Sequence, residues 1–123
     1  MNMAGKYDKL IHQVIARIYE ADPSLLEQYG ERGRMKCRED NIHHLRHLET
    51  ALELEDTTVF TDYALWLEGI LRKHAMKTNT LTDNFRYIEQ YLHLVDTLDK
   101  SAELAYRKYL TDAILALEQK TKH

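Results

Sequence analysis

Thiol, carboxylate and imidazole side chains gather in one short stretch, Met35-Lys36-Cys37-Arg38-Glu39-Asp40-Asn41-Ile42-His43-His44-Leu45-Arg46-His47. Cys37, Asp40 and His44 stand at i, i+3 and i+7. On a helix that spacing sets them along one face, over about 10 Å of axis. Four chemistries suit such a face. The first is metal binding: His43 and His47, four apart, could share a divalent ion, and Asp40 with His43 makes a carboxylate-x-x-His pair. A di-iron bundle needs a second such pair, but Glu89 is followed three residues on by Leu92, so no metal site is assigned. The second is nucleophilic catalysis by Cys37, which needs a base within reach. His44 lies almost two turns away, so no catalytic residue is assigned and the chain reads as a non-enzyme. The third is haem, with His43, His44 or His74 as axial ligand; the spacing selects none of them. The fourth is a linear tetrapyrrole. A thiol can add to a vinyl or ethylidene group, and a carboxylate one turn on can accept from pyrrole N–H groups. Lys36 and Arg34 could pair with propionates, while Tyr63 and Trp66 could wall the ring system.

The elements that must hold these residues are helices. Leu10, Ile11, Val14, Ile15 and Ile18 recur at three- and four-residue spacing and predict a helix over 4–21. Asp22-Pro23 ends it and opens a short helix over 23–29, after which Gly30 and Gly33 predict a turn. A long helix over 34–55 follows, with Ile42, Leu45, Leu48 and Leu52 as its apolar stripe. Asp56-Thr57-Thr58 can cap a helix over 58–74 that is apolar on most of its surface and is expected to lie deep. Thr78-Asn79-Thr80 reads as a loop, and two more helices are expected over 81–97 and 99–120. Alternation of period two is absent. The expected fold is all-α, one domain over 1–123, without internal repeat or linker.

Composition narrows the function classes. The chain has 123 residues, 44% hydrophobic and 30% charged, with 4 Gly and 1 Pro, a globular balance with too few breakers for a many-stranded β fold. A single cysteine excludes an internal disulfide. The net charge is −3, and the run Arg32, Arg34, Lys36, Arg38 is interrupted by Glu31 and Glu39, so no nucleic-acid partner is expected. No apolar stretch approaches the roughly 20 residues of a membrane span, and no signal-peptide layout opens the chain. A cytoplasmic location is the expectation.

An ordered series of motifs resembles the phycobiliproteins, the family of phycocyanin and allophycocyanin. Lys36-Cys37-Arg38-Glu39-Asp40, His43-His44-Leu45-Arg46 and Thr50-Ala51-Leu52 are similar to its K-C-x-R-D, two aromatics, L-R and T-Y-x-L. Thr61-Asp62-Tyr63-Ala64-Leu65-Trp66-Leu67-Glu68-Gly69-Ile70 resembles D-E-Y-L-x-x-G-L, and Arg86-Tyr87-Ile88 resembles K-Y-I. Ala102-Glu103-Leu104 through Tyr109-Leu110-Thr111-Asp112-Ala113-Ile114-Leu115-Ala116-Leu117 resembles its closing A-x-x-x-x-Y-L-D-Y-A-I-x-x-L. The resemblance implies a globin-like fold and a bilin of the phycocyanobilin or biliverdin type. It implies Cys37 as thioether anchor, Asp40 on the inner pyrrole nitrogens, Lys36 on a propionate, His43 and His44 at the paired aromatic positions and Tyr63 beside the chromophore. Glu39 replaces the family's Arg, Arg38 sits one position early, and the two-helix N-terminal extension of the antenna members has no counterpart. The phycobiliprotein-like globins of non-photosynthetic bacteria, some encoded beside bilin-making enzymes, are the nearer comparison. Two alternatives accompany this expectation. One is a non-covalent haem- or bilin-handling protein of haem breakdown; the other is a ligand-free sensory domain that forms a homodimer through a helix face.

Overall fold

A computed structural model describes residues 3–121. Among these, a 3-10 turn at Met3–Tyr7 leads into α1 (Asp8–Ala21), α2 (Ser24–Leu54), α3 (Thr57–Lys73) and α4 (Thr78–Tyr91); a second 3-10 turn at Leu92–Leu94 leads to α5 (Lys100–Thr121). The fold is all-α.

The turn expected at Gly30 and Gly33 is a kink. Ser24–Leu54 runs as one helix, and within it only Gly30 leaves helical geometry, at φ 61° and ψ −157°. That region is open to glycine and strained for other residues. Gly33 stays helical, and Tyr29 lies so close that only glycine fits there; a Cβ at position 33 would stand 2.5 Å from the Cβ of Tyr29. At its other end α2 closes through left-handed Glu55 (φ 51°, ψ 44°), with the Asp56 N–H donating to the Ala51 carbonyl at 3.0 Å. Asp56 then caps α3, accepting from the Thr58 N–H at 2.9 Å, which agrees with the sequence.

Two boundaries of α4 differ from expectation. Thr78-Asn79-Thr80 is its first turn, not a loop; a polar first turn leaves no mark on an apolar pattern. The helix ends at Tyr91 rather than near 97, because Leu92–Leu94 tightens to 3-10 and Val95 is extended. Leu92 and Val95 are both buried, three apart, which mimics a continuing helix. The third difference concerns α3. It buries one face, with Phe60, Tyr63 and Ala64, while Trp66 is 63% exposed. Its apolar composition overstated its depth.

The helices share one core. Leu10, Ile11 and Val14 of α1, Leu45 and Leu48 of α2, Phe85 and Ile88 of α4, and Leu110 and Leu117 of α5 belong to a single buried cluster. Polar clasps set the register. Asn41 of α2 and Asn84 of α4 exchange two buried amide hydrogen bonds, at 3.1 and 2.7 Å. Near the N-terminus, the Tyr7 hydroxyl donates to Glu49 at 3.0 Å and lies 3.1 Å from the Tyr106 hydroxyl. Buried polar groups that satisfy one another in this way fix which helix faces meet.

Candidate functional site

Two residues of α2 meet Tyr63 of α3: His44 through a hydrogen bond and His47 by stacking. Asp40 acts on Tyr63 electrostatically, and Trp66 stands one turn beyond it on α3. Arg34 meets α1, while Cys37 keeps to the same face of α2 as His44, one to two turns earlier. The Arg34 guanidinium sits 4.8 Å from the centre of the Tyr19 ring, and it reaches Glu31 only at 4.0 Å.

Cys37 is half-buried. The Asn41 side chain donates to its carbonyl at 3.0 Å and lies 3.8 Å from its sulfur. Burial first, and then the negative charge of Asp40, push its thiol up to about 11; Arg34 and the Asn41 hydrogen bond oppose this weakly. At neutral pH it is a protonated thiol, a poor nucleophile. Asp40 accepts from Lys36 at 2.6 Å, one turn back, and that bond raises the Lys36 pKa. Lys36 and Asp40 therefore neutralise each other at the surface, where such a pair contributes little to stability and is easily exchanged for another partner.

His44 is buried, 2% exposed. Its Nδ1 lies 2.7 Å from the Tyr63 hydroxyl, and its ring meets Phe85 edge-on with centroids 5.1 Å apart. Burial dominates its titration, helped by the nearby His43, His47 and Lys36, and takes the imidazole down to about 3. Burial, and then Asp40, likewise hold the Tyr63 phenol well above its ordinary range. His44 and Tyr63 are both neutral at pH 7, joined by one hydrogen bond.

Outside this pair the face opens to solvent. His47 stacks on Tyr63 with ring centroids 3.7 Å apart and planes 11° from parallel. Trp66 lies beyond, its ring 6.4 Å from that of Tyr63. His43 is exposed one turn before His47, and His74 is exposed at the end of α3. In the sequence His47 stands out only as a metal partner for His43; its stacking on Tyr63 depends on how α2 and α3 pack, which no local pattern records. The same holds for Asn41, Asn84 and Phe85.

The structure thus brings His44, His47, Tyr63 and Trp66 together, with Asp40 near enough to act on Tyr63 and Lys36 paired to Asp40; Arg34 lies against Tyr19, His43 is exposed and Cys37 is half-buried beside Asn41. Two shallow depressions, one lined by Arg86, Glu89, Thr111, Ile114, Leu115 and Glu118 and the other by Arg46, Glu49, Thr50 and Glu53, involve none of these residues. Among the described residues no helix is long and apolar enough to cross a membrane. No family model, curated protein or solved structure matches the chain.

Proposed function

We propose that the protein is a non-enzymatic binding protein for a flat, conjugated, carboxylate-bearing ligand of the linear-tetrapyrrole class, held non-covalently on the α2–α3 face of a globin-like helical domain. The observation that carries this reading is Trp66, 63% exposed beside the stacked Tyr63–His47 pair. A large aromatic ring at the surface, backed by two further rings, offers a platform for a planar π-system. Lys36 and Asp40, paired at 2.6 Å with Asp40 near enough to act on Tyr63, take complementary roles. A ligand carboxylate takes Lys36 from Asp40, and Asp40 is then released to accept from pyrrole N–H groups. The sequence resemblance to bilin-carrying proteins supplies the ligand class, and a cytoplasmic location goes with it.

Covalent anchoring through Cys37 is the part of the expectation that the chemistry disfavours. A thiol pushed up to about 11 is almost wholly protonated at pH 7, and it is half-buried. The protein purified from cells that also make biliverdin is expected to carry a visible absorption band. That band should leave the polypeptide on a denaturing gel and should survive Cys37→Ala. Trp66→Ala is expected to weaken retention on the order of tenfold. A pigment that stays on the denatured chain and disappears in Cys37→Ala would establish a thioether and overturn the non-covalent reading. A colourless protein, with haem also supplied, would overturn tetrapyrrole binding and favour a ligand-free dimerisation domain.

A further inference from the structure

We propose that His43 and His47 form a two-imidazole site on the α2 face for a single divalent late-transition-metal ion, with water completing its coordination. The two residues are four apart on a continuous helix, so their side chains are neighbours on one surface. That spacing alone is common on helices and assigns nothing. The decisive observation is a hydrogen bond: Nδ1 of His47 lies 2.8 Å from the His43 backbone carbonyl oxygen. A carbonyl can only accept, so Nδ1 must carry the proton. In the neutral ring Nε2 then holds the free lone pair, the form in which imidazole binds a metal.

The His47 ring is also held in place from the side. It lies flat on Tyr63, and Tyr63 is tied in turn to buried His44 at 2.7 Å. A stacked ring with a back-bonded Nδ1 loses little rotational freedom on coordinating an ion, which lowers the cost of binding. His43 is exposed, so its ring can swing to supply the second nitrogen. Among the described residues no three His, Cys, Asp or Glu side chains converge closely enough to enclose an ion. The site is therefore open, with labile water positions, and it differs from a closed structural zinc site. Imidazole donors favour late divalent ions, in the order nickel below copper, over calcium or magnesium. This inference does not depend on the tetrapyrrole reading.

Calorimetric titration of tag-free, metal-free protein with nickel(II) tests it. One ion per chain is expected, with His43→Ala and His47→Ala each weakening binding on the order of a hundredfold, as loss of one arm of a chelate does, and His74→Ala leaving it unchanged. Nitrogen-15 spectra of the unloaded protein give a readout that needs no variant. They are expected to show His47 with Nδ1 protonated and Nε2 bare, and nickel should broaden the His43 and His47 ring signals first. Nickel affinity unchanged in both His43→Ala and His47→Ala, or a His47 ring protonated at Nε2, would overturn the site.

Discussion

Phe60→Ala is expected to destabilise the protein by about 3–5 kcal/mol. Phe60 is fully buried on α3. Its ring lies 5.1 Å from Phe85 of α4 and 5.7 Å from Tyr63 of its own helix, and Phe85 in turn meets His44 of α2. The series of rings Phe60, Phe85 and His44 therefore links three helices, and truncating its first member leaves a cavity that rigid helix backbones cannot close. Domains of this size are stable by only about 5–15 kcal/mol in total, so the variant stands near the edge of folding. Urea unfolding followed by circular dichroism reads the effect as a lower midpoint. A loss below about 1 kcal/mol would mean that the α3–α4 contact is looser than this geometry.

The second large effect is loss of stability in mild acid. His44 is buried as the neutral ring, with its pKa lowered from 6.5 to about 3. In the unfolded chain the same imidazole binds a proton below 6.5. Between the two values the unfolded state holds more protons than the folded one, so stability falls as pH falls from about 6.5 toward 3. The slope contributed by this residue reaches about 1.4 kcal/mol per pH unit. Asp112 acts in a separate window: Lys108 and Thr57 hold its carboxyl below the ordinary 3.8, so its contribution is lost only as pH drops beneath that value. Unfolding free energies measured across pH 4–7 with a chelator present isolate the histidine. In His44→Gln, which keeps a hydrogen-bonding group for Tyr63 without an ionisable ring, the slope over that range is expected to flatten. An unchanged slope in His44→Gln would remove His44 as its source.

These residues show which features a sequence can carry. Helix α1 and the cap at Asp56 were legible because their signals are local: apolar residues at three- and four-residue spacing, and a carboxylate two residues before the N–H that it accepts. Gly30 was legible as a break in geometry, but not as a kink through which the chain stays helical. The start of α4 was hidden because its first turn is polar. At the site, the i, i+3, i+7 spacing of Cys37, Asp40 and His44 held, yet their surroundings separate them. His44 is sealed by Tyr63 from α3 and Phe85 from α4, whereas Cys37 is half-buried beside Asn41. Trp66 and Glu68 exchange the roles that their types suggest. Glu68 is 2% exposed, with the Lys120 ammonium of α5 2.8 Å away and Arg72 at 3.5 Å. Trp66 is left in water. Which edge of an apolar helix packs is decided by partners 50 residues away, and no pattern within the helix contains that choice.

Trp66 is the sole tryptophan of the chain, so its fluorescence reports directly on the proposed ligand platform. Titration of the purified protein with biliverdin is the most direct measurement of the central claim. Saturable quenching with one ligand per chain is expected, weakened when Lys36→Ala removes the carboxylate partner and unaffected by Cys37→Ala. Quenching that rises linearly without saturation, equally for the native and the urea-unfolded chain, would contradict it.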